Sequence, residues 1–477
     1  MRKVIAFTVS ALALSSAAYA QETIQTRVGP LSFTHEFESG YPTDETVAHL
    51  FDVMDFQRAT QAYIWAIPIV AFAQWQKVHE VDFQAQSMDI VYYPHLEDKY
   101  GLLTANATTP YALSFINMAE TGPVVIDMPD AKVRGATHSM WQIGITQMTE
   151  PGRYVFYPPG TTAPVIEGAK VFESPTNSIF FGIRLLALEE TQQKADLAGI
   201  RIFPVSQIGQ DNSTNIIEVD GRPWQGWHPR GIGYFEILAD ILGREPVQER
   251  DRFFMAMLKP LGIEQGKPFH PTWRQERILS EAALVGEAMA KANDFANDRL
   301  EAAFYSDGTH WEVATTSPIN QKWETYDALD GRAKWFYEAV TNDSAMQSDR
   351  PNWGQIYLST YRDSDGEWLD GGTSYVLNVP ADVPAGEFWS VSVYDVATRA
   401  LIVNKEGVAD KSSRMDLDVN DDGSVSIHFG PTPPEVGEAN WIPTLEGRAW
   451  FPYFRLYSPT EPYFDRSWVL TNIEKAK

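Results

Sequence analysis

The chain contains no cysteine. That excludes a disulfide scaffold, a thiol nucleophile, cysteine-ligated zinc or iron–sulfur, and lipid attachment through a thiol. Basic residues are also few, 38 against 63 acidic ones, for a formal charge of −25. A phosphate-binding face needs clustered Lys and Arg, so nucleic acid is excluded as a partner and anionic lipid is disfavoured. Long apolar runs are scarce. The stretch from Ala59 to Gln76 carries no charge, but Thr60, Gln61, Gln74, Gln76 and a central Pro68 make it a poor membrane span. It reads as a buried core helix kinked at Pro68, and no span is expected in the mature chain. Catalytic signatures are missing too. There is no G-x-S-x-G elbow, no P-loop and no G-x-G-x-x-G, so no nucleotide cofactor is expected.

What is present is ordinary globular composition, 44% hydrophobic and 21% charged, with a high aromatic share of 13% that includes 15 Trp. The length, 477 residues, is enough for two or three domains with full cores. The first twenty residues read as an address. Arg2 and Lys3 precede an apolar run from Val4 to Leu14, and Ala18-Tyr19-Ala20 supplies small residues for cleavage before Gln21. This is the pattern of a secretory signal peptide, so the mature protein is expected in a bacterial periplasm or outside the cell. There it would use no disulfides at all.

The remainder reads as mainly β with α: two jelly-roll or β-sandwich-like domains joined by a helical middle segment. A helical segment is expected over 21–88, a β domain over 89–210, a helical connection over 211–350 and a β-sandwich over 351–477. Short β-rich runs bounded by Gly, Pro and Asn support the two β blocks, among them Ile90–Tyr93, Val124–Met128, Ile179–Leu188, Ser374–Val379 and Ala449–Tyr457. In the middle, Ile278, Ala282, Val285 and Met289 share one face of a helix expected from Thr272 to about Phe304.

The nine histidines show no i, i+2 or i, i+4 pairing, so no metal site is expected. Asp418-Val-Asn420-Asp421-Asp422-Gly423 imitates the start of a calcium loop, yet its twelfth position is Phe429 rather than Glu. Alternating apolar residues on both sides make it a hairpin, with strands Arg414–Val419 and Ser424–Phe429.

Several elements of the C-terminal block are distinctive: Gly371-Gly-Thr-Ser-Tyr375, Gly386-Glu-Phe388-Trp389-Ser-Val-Ser-Val-Tyr394-Asp395, Asn440-Trp441-Ile-Pro443 and Phe454-Arg455-Leu-Tyr457. Their succession resembles the bacterial domain of unknown function 1214. Upstream, Thr104-Ala-Asn106-Ala-Thr-Thr109-Pro-Tyr111, Gly122-Pro-Val-Val-Ile-Asp-Met-Pro129 and Gly152-Arg153-Tyr154 resemble its N-terminal partner, domain of unknown function 1254. The resemblance implies two β domains with a helical connection and brings no agreed activity. One position departs: Thr108 stands where the family pattern has an Asp.

The favoured reading is an exported soluble protein that binds a small or carbohydrate-like ligand where the two β domains meet. Asn106, Tyr111, Arg153, Trp389, Asn440, Trp441 and Arg455 are the candidate ligand contacts, the aromatics giving flat area and an Arg a charged anchor. The alternative is a periplasmic hydrolase or lyase using a carboxylate with Tyr or His as acid and base. Its candidates are Asp395, Tyr394, His138 and His428. A third reading is self-association as a homo-oligomer through sheet edges.

Overall fold

The structure is a computed structural model and describes residues 21–296 and 304–476. Residues 1–20, expected to be a signal peptide, lie outside the described residues, as do 297–303, where the long middle helix was expected to continue.

Residues 21–58 form one unit. Where helix was expected, the chain begins with an antiparallel hairpin, β1 (Glu22–Thr26) and β2 (Gly29–Phe33). Thr23 and Ser32 join their hydroxyls across it at 2.8 Å. Short alternating strands closed by a tight turn at Gly29 outweigh the helix signal, which begins only with α1 (Asp44–Val81). That helix runs unbroken through Pro68.

From Ala59 onward the chain is one compact unit. The apolar part of α1 is almost wholly buried, as its composition demands. Several of its carbonyls accept from side chains of other segments: Tyr63 O from the Tyr234 hydroxyl (2.7 Å), Trp65 O from Arg332 (2.6 Å) and Pro68 O from Gln142 (2.6 Å). These bonds tie the buried helix to the segments packed around it.

The first β block comprises β3 (Ile90–Tyr93), β4 (Tyr111–Asn117), the short α2 (Met118–Thr121), β5 (Val124–Met128), β6 (Val133–Ser139), β7 (Gly144–Met148), β8 (Gly152–Tyr157), β9 (Lys170–Glu173), β10 (Ser178–Leu185), α3 (Glu190–Ala198), β11 (Arg201–Pro204) and β12 (Ile216–Glu218). They build a six-stranded sheet in the order β12-β3-β4-β10-β6-β7 and a four-stranded sheet β11-β5-β8-β9. Alternation decides the packing. Phe181, Ile183 and Leu185 of β10 join Ile126, Tyr154 and Phe156 in the core between the sheets. Phe180, Gly182 and Arg184 consequently point to the other face.

The middle holds α4 (Ile232–Arg244), α5 (Arg252–Leu258), α6 (Trp273–Phe295), the two-residue β13 (Glu312–Val313) and α7 (Leu329–Glu338). Thr272 caps α6 through a capping box with Gln275.

The second β block contains β14 (Gln355–Ser359), β15 (Tyr375–Val379), β16 (Ala385–Asp395), β17 (Asp410–Ser412), β18 (Val425–Gly430), β19 (Trp441–Pro443), β20 (Trp450–Pro459), the short α8 (Glu461–Phe464) and β21 (Glu474–Lys475). Its sheets are β13-β14-β20-β16-β17 and β19-β18-β15-β21. Trp450 of β20 meets Phe429 of β18 and Tyr375 of β15, joining the two sheets. Two β-rich parts with a helical middle are therefore the architecture.

The 414–429 hairpin forms only in part. Its turn is present, with Gly423 N donating to Asn420 O at 2.9 Å, but Arg414–Val419 is not a strand. The Asn440 amide takes up both backbone groups of Asp418 instead, at 3.0 and 2.8 Å. β18 pairs with β19 in parallel and with β15 antiparallel.

Candidate functional site

The outer face of the six-stranded sheet carries a regular array. Cross-strand partners lie side by side on one face. Register therefore sets Tyr111, Arg184 and Arg134 in one row, Leu113, Gly182 and Ala136 in the next, and Phe115, Phe180 and His138 in a third. The outer face of the β13–β17 sheet carries a second array, in which Arg455 stands between Tyr357 and Ser390, with Tyr453 and Tyr457 one step away on β20. A cavity of about 370 Å³ lies against both faces. Its lining includes Asn106, Tyr111, Arg134, His138, Arg184, Asp343, Tyr357, Tyr453, Arg455 and Tyr457.

Two guanidinium groups dominate it. Arg455 is buried, donates to Thr104 O (2.8 Å) and Ser392 Oγ (3.0 Å), and lies 5.2–5.6 Å from the ring centres of Tyr357, Tyr394 and Tyr453. Among the described residues neither Arg455 nor Arg184 has a carboxylate within ion-pair distance. Burial works against both charges. The phenols around them are neutral and bring no compensating charge, although the ring faces of Tyr357, Tyr394 and Tyr453 favour the Arg455 cation, and a guanidinium keeps its proton in any case. At one edge Arg134 pairs with Glu387 of β16 at 3.3 Å, both half exposed. The charged lining is thus three arginines against Asp343 and Glu387, a net positive pocket in a strongly acidic protein.

His138 marks the opposite, closed end. It is 1% exposed; the Asn342 backbone lies beside the ring as a hydrogen-bonding group, and neither ring nitrogen makes a well-aligned hydrogen bond. Its Nε2 lies 3.8 Å from Asp343 Oδ2, while Asp343 Oδ1 accepts from Ala345 N and Met346 N. Burial lowers its pKa, against an upward pull from Asp343, so the imidazole is neutral.

The loop between Thr104 and Pro110 ties the two β parts together. Thr104 N donates to Arg399 O (2.8 Å), and the Tyr394 hydroxyl donates to Ala105 O (2.7 Å). Asn106 gives its amide N–H to the Tyr457 hydroxyl, while its Oδ1 accepts from Thr108 N (2.7 Å) and Thr109 N (3.1 Å). Thr108 donates to Asp410 Oδ2 at 3.3 Å. An Asp there would set a second carboxylate against Asp410, whose pKa burial already raises. The distinctive segments of both β blocks are therefore one joint, seen from its two sides.

Of the residues singled out from sequence, Asn106, Tyr111, Arg455 and His138 line the cavity. The others are placed elsewhere. Arg153 forms a bidentate pair with Asp127 at 2.8 Å on a separate surface. Trp389 stacks on Phe454, 5.6 Å between ring centres, and is core. Trp441 gives its indole N–H to Gly430 O (3.0 Å), and Asn440 holds the Asp418 backbone. Asp395 is paired with Arg448 and accepts from Ala397 N (2.8 Å), so it staples a turn. Tyr394 is buried beside the joint, and His428 lies half buried on β18, apart from the cavity. Sequence reasoning missed Arg184, Arg134, Asp343, Tyr357 and Tyr453. Arg184 had one signal, a charge inside the apolar strand SIFFGIRL.

Among the described residues, one group of metal-ligand type occurs, His95 with Glu190 and Glu218. It is mostly exposed, and Lys194 already pairs with both glutamates at 2.8 and 3.3 Å. No described helix is long and apolar enough to cross a membrane.

Fold and site define a two-part, β-rich protein with a cationic cavity between facing sheets. Residues 90–204 match the family model described as protein of unknown function (DUF1254), and residues 354–461 match protein of unknown function (DUF1214). The two matches follow one another along the chain in that order. Its structure resembles the VPA0106 protein of Vibrio parahaemolyticus, with a TM-score of 0.53 and 18% identity over 89% of this chain and 100% of that one. At such identity the likeness is one of fold. A protein of Burkholderia cenocepacia described as uncharacterized aligns at a TM-score of 0.42 and 10% identity, over 90% of this chain and 95% of its own. No curated protein matches the sequence.

Proposed function

We propose that this protein is exported and binds a small organic anion, a carboxylate with an apolar body, in the cavity between its two β domains. The observation that carries the reading is the pair Arg184 and Arg455, two charged guanidiniums facing one enclosed space with no carboxylate partner. Leaving charge uncompensated in a partly desolvated site costs stability, and an anionic ligand relieves that cost. The remaining lining, with Leu113, Phe180, Trp335 and Met346 beside Asn106 and Gln355, suits an apolar body held by a few polar groups. Neutral sugars, the wider class compatible with the sequence, leave both charges unanswered. Export rests on the signal-peptide pattern, and Gln21 at the N-terminus of secreted protein is the expected readout.

A second reading, hydrolysis or elimination in the same cavity, is favoured by the His138–Asp343 approach. Conversion of a bound acid to product, detected by mass spectrometry, would replace simple binding. The test of the first reading is a thermal-shift and calorimetric panel of alkyl and aryl carboxylates against neutral sugars. Carboxylates should raise the melting temperature through linkage. Arg184→Met should weaken them about 10- to 100-fold, the worth of one charge-assisted hydrogen bond. Stabilisation by neutral sugars alone would overturn the reading.

A further inference from the structure

The three rows of the six-stranded sheet give the cavity a polarity along the strands. The first row, Tyr111–Arg184–Arg134, lies at the open edge, because Arg134 and its partner Glu387 are half exposed. The third row ends in Phe180 and His138, both nearly inaccessible. Between them stand Leu113, Gly182 and Ala136. Gly182 makes room for the Phe180 ring, which a Cβ there would approach to 2.8 Å, so that ring lies over the middle of the row and Ala136 adds only a methyl beside it. Arg184 and Phe180, the cross-strand partner of His138, are four positions apart on β10, so their Cα atoms lie about 13 Å apart at 3.3 Å per residue.

Resting on the anion reading, we propose that the cavity selects hydroxyaryl carboxylic acids, with the carboxylate on Arg184 and Arg455, the ring against Phe180 beside Ala136, and the hydroxyl on His138. The cationic pole and the His138 acceptor lie at opposite ends of the strands, which calls for a ligand with its carboxylate and its hydroxyl at opposite ends, as in a para-substituted ring. Phe180, from the row beyond, supplies an aromatic edge, and Trp335 adds apolar wall from α7.

His138 carries the specificity. Its Nδ1 has no well-aligned hydrogen-bond partner, in a place water reaches poorly, while the Asn342 backbone suits an N–H on the ring. The Asp343 carboxylate near Nε2 favours the N–H on that nitrogen, which leaves Nδ1 as an acceptor. A ligand hydroxyl satisfies that acceptor, and a hydrogen atom in its place leaves it stranded. The penalty for a stranded buried acceptor corresponds to roughly tenfold or more in affinity. Burial keeps the ring neutral, as an acceptor requires.

The probes are 4-hydroxyphenylacetate and phenylacetate, titrated calorimetrically into the purified protein and two variants, His138→Phe and His138→Gln. The expected result is at least tenfold tighter binding of the hydroxylated acid by the wild type. That preference should vanish in His138→Phe and persist in part in His138→Gln, whose amide oxygen can accept the same hydroxyl. Equal affinity of the wild type for both acids would overturn the inference while leaving the anion reading intact, and so would a preference that survives His138→Phe. If neither acid binds but short alkyl acids do, the placement of an aromatic ring beside Phe180 is wrong. If no carboxylate binds, both readings fall together. Should His138→Phe fail to fold, the wild-type comparison and His138→Gln still decide.

Discussion

Glu338→Gln should change the pH dependence of folding in a direction that the buried charges fix in advance. Glu338, at the end of α7, is fully buried. It accepts hydrogen bonds from the hydroxyls of Tyr453 and Tyr361, the latter at 2.9 Å, and is hydrogen-bonded to Asp294 of α6. Lys334 and Glu312, themselves paired at 2.8 Å, complete the charged surroundings. Burial lifts the Glu338 carboxyl from 4.5 to about 7, against the pull of Lys334 and the hydrogen bonds. At 1.36 kcal/mol per pH unit this corresponds to about 3 kcal/mol. Its folded pKa is raised, so that stability is fully present below about pH 4.5 and is lost as pH rises towards 7. Two buried histidines act oppositely. His79 and His228 are pushed down to about 3, first by burial, so each costs stability as pH falls below 6.5. The wild-type profile alone is therefore ambiguous, and the variant-minus-wild-type difference isolates the carboxyl. Urea unfolding from pH 4.5 to 8 should show Glu338→Gln gaining about 3 kcal/mol relative to wild type across the window. Removing the charge at 338 also eases Asp294, whose pKa burial and Glu338 raise, and this adds in the same direction. A difference that stays flat or falls with pH would refute the reasoning.

Two further outcomes follow from the joint and the turns. Asn106→Ala removes the cap of the 104–110 loop and its bond to Tyr457. It should cost about 2 kcal/mol in urea unfolding and weaken carboxylate binding in parallel, because the same loop holds Arg455 through Thr104 O. In the Gly371-Gly372 pair, a Cβ on Gly371 would lie 2.1 Å from the Leu445 carbonyl, whereas one on Gly372 meets nothing nearer than 3.1 Å, at a side-chain atom. Gly371→Ala should therefore lower the melting temperature by several degrees and Gly372→Ala by far less; equal effects would contradict the packing at this turn.

Much of the strand pattern was legible because alternation is local. Ile90–Tyr93 and Val124–Met128 form strands with the boundaries their apolar runs suggest. β6 was missed, since V-R-G-A-T-H-S lacks an apolar run, and it is the strand that carries Arg134 and His138. The candidate site was only partly readable for a related reason. Trp389, Trp441 and Asp395 stand out in sequence, yet their distinctiveness serves packing and turns. Arg184 and Tyr357 are unremarkable in sequence and line the cavity.

By itself, then, the sequence determined the chemistry that is absent, the two β blocks with helices between them, and which residues of each strand share a face. It told, for instance, that Arg184 opposes Phe181, Ile183 and Leu185, and that Arg455 opposes Phe454 and Leu456. Only the tertiary structure decided that these two outer faces meet over one cavity. Periodicity sorts a strand into two sides, but what covers the second side depends on contacts between segments some 270 residues apart, and no local pattern encodes those.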